Sequence, residues 1–270
     1  MYGSSFPVNN IYETQILMVD KEFLIIYKPP RMHSAPQEKS PAEHESTDNA
    51  LDHWSKSFPE IKTLPGRREG EGGLLHRLDY ETQGLLLFAR TNKAIESFSA
   101  QQREGLFIKH YSALTCKSDV KLPGFPEMIF SKADFPSLIS CAFRPYGPGR
   151  KAVRPVLLGG SVNKKKEIAL DRGEPYRTEI LEAKSINQTL PGEGNPELVQ
   201  FDIKLYRGFR HQIRCHLAWL GMPIVNDSLY GGIPFGDGYL GLRAHSLFFD
   251  HPVTGERLCF SFSLSSQSSH

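Results

Sequence analysis

The sequence has no long apolar run and only four cysteines. No stretch approaches the roughly 20 apolar residues that a membrane-spanning helix needs, so no membrane segment is expected. The first residues lack a basic region followed by an apolar core, which argues against a secretory signal and makes the cytoplasm the expected location. The cysteines lie far apart and form no C-x-x-C pair, so we expect neither a disulfide framework nor a zinc knuckle.

Two further motifs are missing. Neither G-x-x-x-x-G-K-[ST] nor G-x-G-x-x-G occurs in the glycine-rich residues 65–73, so a nucleotide-phosphate cradle is not expected there. His211, Cys215 and His216 lie close together in the chain, but the H-E-x-x-H spacing is absent and no carboxylate ligand is near. No metal site is therefore predicted.

The length of 270 residues and the apolar fraction of 39% are typical of a globular protein with a sizeable core. We expect a flexible arm at residues 1–13, one domain at 14–262 and a frayed tail at 263–270. Within the domain, residues 117–175 are irregular, basic and rich in proline and glycine, which indicates an insertion. The net charge of +2 argues against a globally basic protein, and the local clusters could line one face or be scattered solvated charges.

Hydrophobic patterning predicts an alternation of strands and helices. A hairpin is expected at residues 16–28, and a helix with Leu51, Trp54 and Phe58 on its apolar face should start near residues 46–48. A second helix should be capped by Asn92 and end near Gly105. Buried or alternating strands are predicted at residues 85–89, 106–115, 177–184, 198–206 and 257–262, and a further helix at 207–221.

Asp79 stands in a short polar break directly before the apolar run at residues 85–89, with Arg77 beside it and Gly84 at the entry to the run. A carboxylate held at the mouth of a buried strand suits catalysis, and Asp79 is our candidate catalytic residue. The alternative is that Arg77 and Asp79 form an ordinary surface ion pair in a turn.

Arg210 and Arg214 lie one turn apart near the start of the predicted helix at residues 207–221. Positive charge opposes the helix dipole at that end, so the two arginines call for an anionic partner. We expect a carboxylate or a phosphate.

Taken together, these segments resemble the RluA-type family of RNA pseudouridine synthases. The resemblance covers most of residues 16–262. It is carried by Lys28-Pro29, by His76-Arg77-Leu78-Asp79-x-x-Thr82-x-Gly84-Leu85, by Lys109-x-Tyr111, and by Gly208-x-Arg210-His211-Gln212-Ile213-Arg214-x-His216 followed by Gly221-x-Pro223-Ile224-x-x-Asp227-x-x-Tyr230-Gly231. Gln83, where the family usually has serine, is one departure, and its side chain is expected to point away from the pocket. Arg207 in place of the usual threonine before Gly208 is another.

The resemblance implies an α+β fold with a mixed, mainly antiparallel central sheet flanked by helices. It also implies isomerisation of specific uridines to pseudouridine in structured RNA, either ribosomal or transfer RNA, without a cofactor. A monomer is the expected oligomeric state. The uracil C1′–N1 bond breaks, the base turns, and it rejoins the sugar through C5. Whether the carboxylate attacks C1′ or C6, or assists elimination through a glycal, stays open.

The resemblance also assigns roles to residues. Asp79 would be the catalytic carboxylate, Tyr111 would stack on the uracil and could move a proton, and Arg214 would pair with Asp79. Arg77 would fill the space left by the flipped nucleotide. The other expected substrate-binding residues are His76, Thr82, Leu85, Arg210, His211, Gln212 and Ile213.

Two rival readings remain. A non-catalytic RNA-binding protein on the same fold is less favoured, because the set of Asp79, Tyr111 and Arg214 is intact. A glycoside-type hydrolase using Asp79 would need a second carboxylate, and the nearest is Glu81.

The basic residues of the insertion are not explained by the family motifs. Loops held by a sheet often carry substrate contacts, so we expect these side chains to bind RNA phosphates beyond the target uridine. The alternative is a solvated basic run without a partner. The residues are Arg144, Arg150, Lys151, Arg154, Lys164, Lys165 and Lys166.

Overall fold

The computed structural model describes residues 2–37, 48–128, 135, 137–158, 168–186 and 197–264. They belong to two compact units. The first unit comprises Met1–Lys109 and Arg243–His270, and the second comprises His110–Leu242. Lys164, Lys165 and Lys166 lie outside the described residues.

The first unit contains a mixed sheet. Its strands are β1 (Tyr2–Val8), β2 (Gln15–Val19), β3 (Phe23–Lys28), β4 (Gln83–Ala89), most of β10 (Leu242–Asp250) and β11 (Arg257–Leu264), in the spatial order β2-β3-β4-β10-β11-β1. The pairs β2–β3, β3–β4 and β10–β11 are antiparallel, whereas β4–β10 and β1–β11 are parallel. The predicted hairpin at residues 16–28 is confirmed as β2 and β3.

Strand β4 is buried along its whole length, as its unbroken apolar run predicts. Gly84 begins this run with φ of 133° and pairs with Ala244 of β10. A Cβ atom at this position would lie 2.3 Å from the carbonyl oxygen of Ala244. Only glycine therefore allows the two strands to approach this closely.

Three helices flank the sheet of the first unit: α1 (Ala50–Ser55), α2 (Glu60–Thr63) and α3 (Asn92–Glu104). Helix α1 is capped by Asn49, whose side chain accepts a hydrogen bond from the Asp52 amide, rather than by the residues expected at 46–48. Helix α3 is capped by Thr91 rather than by Asn92, and it ends at Gly105 in the left-handed conformation, as predicted. The core between helix and sheet is aromatic, with Phe23, Phe98, Phe107, Phe249 and Phe260.

The second unit contains strands β5 (Ile108–Cys116), β6 (Leu138–Tyr146), β7 (Ala152–Val156), β8 (Tyr176–Ile186) and β9 (Leu198–Leu205), in the order β5-β9-β8-β6-β7. The first two residues of β5 belong to the first unit. Helix α4 (Gln212–Trp219) is buried on nearly all sides, and its Cys215 and Ala218 pack with Cys141, Phe143 and Val153. The expected α+β fold with a mixed, mainly antiparallel sheet is confirmed.

Several expectations from the sequence need correction. The polar N-terminus predicts a flexible arm, but Tyr2–Val8 form a strand, because they pair with β11 at the far end of the chain. The insertion at residues 117–175 is not irregular throughout, since β6 and β7 form an antiparallel hairpin within it. Of the tail expected to fray, residues 263 and 264 belong to β11 and the rest lie outside the described residues.

The helix expected at residues 207–221 begins only at Gln212, so Arg210 lies before it and only Arg214 lies on it. His211, with φ of 55°, adopts the left-handed conformation and separates the two. None of the helices in the described parts of the chain is long and apolar enough to cross a membrane.

Candidate active site

Asp79 lies at the first position of a tight turn that leads into β4. Its backbone carbonyl accepts a hydrogen bond from the Thr82 amide at 3.0 Å, which closes a four-residue turn. The side chain of Asp79 is half-buried. The turn thus presents a carboxylate at the start of a fully buried strand, as the sequence predicts.

The backbone on both sides of Asp79 is fixed by residues 28–34. On one side, the Ser34 hydroxyl donates to the Leu78 carbonyl and accepts from the Leu78 amide, both at 3.0 Å. On the other side, the Tyr80 carbonyl accepts hydrogen bonds from the Arg31 amide at 2.8 Å and from the Lys28 ammonium at 3.3 Å. The backbone that carries this carboxylate is therefore positioned before any ligand arrives.

Lys28 is fully buried and stands next to this turn. Its Nζ also donates to the carbonyls of Pro29 and Met32, each at 2.8 Å. Burial lowers the pKa of Lys28 to about 7, while the negative charges of Asp79 and Glu81 act in the opposite direction. The Asp79 carboxylate therefore lies within electrostatic reach of a buried amine that the sequence did not single out for this role.

The motif around Asp79 carries buried polar atoms. Neither ring nitrogen of His76 nor the Thr82 hydroxyl has a hydrogen-bond partner among the described residues. Burial lowers the pKa of His76 well below its ordinary value, and the charges of Lys109 and Arg67 act in the same direction. The His76 ring packs on Phe107 with ring centroids 5.7 Å apart, so it is held as a neutral side chain in an apolar wall.

Arg77 and Leu85 have contrasting environments. Leu85 is fully buried in the core of the first unit. The exposed Arg77 donates to Glu71 at 3.2 Å. The surface-pair alternative expected an ion pair between Arg77 and Asp79, whereas this ion pair is with Glu71. The Arg77 side chain is 41% exposed, which leaves it accessible to a ligand.

In the second unit, Arg214 makes a buried ion pair. Its Nε and Nη2 donate to Asp227 Oδ2 and Oδ1 at 2.7 Å and 2.8 Å, and its guanidinium lies 5.4 Å from the centre of the Tyr230 ring. Asp227 is 2% exposed and Arg214 is 7% exposed. The anionic partner that the sequence calls for near the helix start is thus a carboxylate, Asp227, held by a bidentate contact.

The other predicted residues near α4 differ in their contacts. The exposed Arg210 donates through Nη2 to the carbonyls of Arg150 at 2.9 Å and Ala152 at 3.3 Å. His211 Nδ1 lies 3.3 Å from the Tyr230 hydroxyl. The amide of Gln212 bonds to Arg177, Thr178 and Phe209 of the protein, and Ile213 is buried.

Tyr111 is buried on β5, where its neighbours two residues away, Lys109 and Ala113, are buried as well. Burial lowers the pKa of Lys109 to about 8, and the charge of Arg67 acts in the same direction. Asp79 lies in the first unit, and Tyr111 and Arg214 lie in the second. The pairing of Asp79 with Arg214 stays a prediction.

A comparison with protein families identifies the family of this chain. The sequence profile of the RNA pseudouridylate synthase family matches residues 22–219, which include the Asp79 turn, β5 and α4. The chain belongs to this family. The synthase is an enzyme of the RluA type, as the sequence motifs indicate.

Curated relatives agree with this assignment. The synthase is 24% identical over 263 residues to the uncharacterized RNA pseudouridine synthase YjbO of Bacillus subtilis, covering 94% of this chain and 77% of the relative. It is 28% identical over 251 residues to the dual-specificity RNA pseudouridine synthase RluA of Pasteurella multocida, covering 91% of each. The solved structure of human RNA pseudouridylate synthase domain containing 1 shares the fold, with a TM-score of 0.57 at 19% identity over 94% of this chain and 85% of that one.

Three contributors to the site were missed in the sequence: Ser34, Lys28 as a clamp on the Asp79 turn, and Asp227 as the partner of Arg214. Lys28 and Asp227 stand within the family motifs, so their types and positions were visible while their contacts were not. Ser34 lies in a stretch read as a loop and carries no local signal. Gln83, the departure from the family pattern, accepts a hydrogen bond from the buried Tyr27 hydroxyl at 2.7 Å, which gives this glutamine a structural contact.

Proposed function

We propose that this synthase isomerises specific uridines in structured RNA to pseudouridine, with Asp79 as the catalytic carboxylate. The observation that carries the assignment is the fixed turn at Asp79. Ser34 bonds both backbone groups of Leu78, while Lys28 and Arg31 bond the carbonyl of Tyr80. Among members of an RNA-modifying family, a carboxylate positioned this firmly in a motif of the form His-Arg-Leu-Asp is the best candidate for the reacting group.

In the reaction, one bond and one proton are exchanged within a single nucleotide. The C1′–N1 bond breaks and a C1′–C5 bond forms, N1 gains a proton, and C5 loses one, so no cofactor is consumed. We propose that Asp79 bears the charge or forms the covalent bond while the sugar is detached. Tyr111 would stack on the uracil and move a proton, and Arg214 would stabilise the charge of Asp79.

The residues beside Asp79 support a substrate-binding role for this segment. Buried polar atoms without a hydrogen-bond partner are uncommon in folded proteins, and a ligand that supplies the partner is one explanation for them. His76 and Thr82 supply three such atoms within three residues of Asp79. We propose that these two contact the flipped nucleotide and that the accessible Arg77 takes the place of the extruded base. Leu85 is fully buried in the core of the first unit, so we propose that it anchors β4 rather than contacts the nucleotide.

Near α4, we propose that Arg210 and His211 contact the RNA directly, since both side chains are at least partly accessible. Gln212 and Ile213 are buried, and the Gln212 amide bonds to Arg177, Thr178 and Phe209. We propose that these two act by shaping the start of α4.

We propose ribosomal RNA as the first substrate to test and transfer RNA as the second. One relative is the ribosomal large subunit pseudouridine synthase C of Haemophilus influenzae, 29% identical over 204 residues, with 72% of this chain and 52% of the relative covered. The Pasteurella relative is described as having dual specificity. The proposed working form is a monomer in the cytoplasm with one catalytic domain.

The test compares the unchanged protein with Asp79→Asn on unmodified, transcribed ribosomal and transfer RNA. Asn keeps the shape of the side chain and removes its charge, so pseudouridine formation should fall by at least a thousandfold while RNA binding stays within about twofold. Pseudouridine is mapped by carbodiimide modification and primer extension. Release of free uracil is measured in the same samples.

Glu81→Gln is the matched control, because it removes a carboxylate from the same turn and leaves Asp79 in place. Glu81 makes only a partly exposed contact with Arg31 at 3.6 Å, so the control should keep nearly full activity. Full activity of Asp79→Asn would exclude Asp79 as the reacting group. Binding without any pseudouridine would favour the non-catalytic RNA-binding alternative, and release of uracil would favour the hydrolase.

A further inference from the structure

The hairpin of β6 and β7 carries charged side chains of one sign only. Residues 138–158, which span it, include Arg144, Arg150, Lys151 and Arg154 and no aspartate or glutamate. The exposed Arg210 adds a fifth positive charge, since it donates to two carbonyls at the hairpin turn. These five residues are called the basic hairpin below.

The strand register places two of the charges face to face. Arg144 and Arg154 are direct cross-strand partners, so their side chains leave the same face of the hairpin. Like charges directly opposite each other destabilise a β-pair. A bound anion would offset the repulsion between Arg144 and Arg154.

No carboxylate offsets these charges within the described residues. Elsewhere in those residues, six arginines make ion pairs: Arg31 with Glu81, Arg77 with Glu71, Arg90 with Glu60, Arg207 with Asp171, Arg214 with Asp227 and Arg257 with Asp250. None of the five residues of the basic hairpin makes an ion pair to any carboxylate that the structure describes.

Two of these guanidinium groups are already held in place, and a third has a buried donor without a partner in the described parts of the chain. Arg154 Nη1 donates to the Gly124 carbonyl at 2.5 Å, and Arg210 Nη2 donates to the Arg150 carbonyl at 2.9 Å. The Nε of Arg144 is buried and has no hydrogen-bond partner among the described residues. An arginine has five N–H donors, so each contact leaves others for a ligand, and fixed side chains lose little entropy on binding.

We propose that the basic hairpin binds the phosphate backbone of the RNA substrate at nucleotides other than the target uridine. This rests on the proposed function for the identity of the ligand, and it concerns affinity rather than chemistry. The half-buried Tyr146, two residues from Arg144 on the same strand and packed against Phe125 with ring centroids 6.1 Å apart, borders the same face. Arginines with a neighbouring aromatic ring are typical of RNA-binding surfaces.

The test is a salt series of binding to transcribed, unmodified large-subunit ribosomal RNA. Each phosphate contact contributes roughly 0.7 to 0.9 to the slope of log affinity against log salt. The double variant Arg144→Gln/Arg154→Gln should therefore lower the slope by about 1.4 to 1.8. Pseudouridine formation at saturating RNA should stay unchanged, because neither residue belongs to the Asp79 turn or to α4.

The matched control is Lys121→Gln/Lys184→Gln, which removes the same two charges from the same unit. Lys121 and Lys184 are exposed and already paired with Glu127 and Glu182. Its slope should match that of the unchanged protein. If the control lowers the slope as much as the hairpin variant does, the effect is one of net charge and the proposal is overturned.

A second variant protects the test against misfolding. Arg150→Gln/Lys151→Gln changes only exposed side chains of the turn, and its slope should fall in the same direction. An unchanged slope in this variant and in a folded Arg144→Gln/Arg154→Gln protein overturns the proposal. If the unchanged protein binds RNA without forming pseudouridine, and the hairpin variants still lower the salt slope, phosphate binding by the basic hairpin is supported and only the proposed function is refuted.

Discussion

The buried ion pair between Arg214 and Asp227 gives the sharpest prediction for stability. Asp227→Asn removes the charge that a guanidinium with only 7% exposure depends on. Breaking such a pair from one side costs about 3 to 5 kcal/mol, because the remaining charge is left buried. Since asparagine still offers one oxygen to Arg214, we expect the lower end, about 3 kcal/mol in the free energy of unfolding.

The chain offers a reporter for this measurement. It contains two tryptophans, Trp54 in the first unit and Trp219 in the second. In a Trp54→Phe background, urea unfolding followed by fluorescence reports on Trp219, which lies on the same helix as Arg214 and donates to the Pro126 carbonyl at 2.8 Å. Urea midpoints of two variants can be compared directly when the slope of the unfolding free energy against urea concentration is the same in both.

Asp171→Asn is the matched control. Asp171 accepts from Arg207 at 2.6 Å in the same unit, but the two side chains are 27% and 25% exposed. Solvent weakens such a pair, so the control should cost at most about 1 kcal/mol. Equal losses for Asp227→Asn and Asp171→Asn would refute the claim that burial of the Arg214 pair sets its contribution.

A double-mutant cycle completes the test. Arg214→Met and Asp227→Leu each leave one charge buried without its partner and should destabilise, whereas Arg214→Met/Asp227→Leu removes both charges and should lose much less than the sum of these two single changes. We expect a coupling of about 2 to 3 kcal/mol. Additive losses would mean that the two side chains contribute independently.

Two further predictions concern pH. The folded pKa of Lys28, about 7, lies below its unfolded value of 10.5, so the unfolded chain keeps a proton that the folded chain releases, and the free energy of unfolding rises as pH increases above 7. Between pH 7 and pH 8 the free energy of unfolding should rise by about 1 kcal/mol because of Lys28, and Lys28→Met should remove this rise. The interval ends at the pKa of Lys109, so that the second buried lysine contributes little. Urea midpoints that rise equally in both proteins would contradict the prediction. Burial lowers the pKa of His216 to about 3 from 6.5, so the unfolding free energy falls as pH decreases through this interval. His216→Gln should flatten that fall by about 1 kcal/mol per pH unit between about pH 5 and 6 in urea titrations, and an equal fall in both proteins would assign it to other groups.

Features set by local sequence were predictable. The unbroken apolar run before Ala89 indicates a strand buried on both faces, and a glycine placed after a helical pattern indicates the end of α3 at Gly105. The candidate residue Asp79 was found by its position in a polar break before such a strand. These signals need no knowledge of distant residues.

Features set by distant pairing were not predictable. The N-terminal strand β1 pairs with β11 across more than 250 residues of sequence, and its polar residues give no sign of this. Arg144 and Arg154 become neighbours only through the register of a hairpin that contains Pro145, Pro148 and Pro155, which argue locally against regular strands. The cluster of basic residues was visible in the sequence, but the cross-strand pairing of Arg144 with Arg154 was not.

The site itself shows how the two kinds of information combine. The motif around Asp79 supplies the reactive group, while the residues that fix its backbone, Lys28 and Ser34, lie more than 40 positions earlier. In the same way α4 supplies Arg214, and Asp227, 13 residues later, fixes its guanidinium. That contact uses Nε and Nη2 and orients the remaining Nη1 away from Asp227, so the orientation of Arg214 is set before substrate binds. The family motifs therefore place both the groups proposed to react and the groups that hold them, and only the contacts distinguish one from the other.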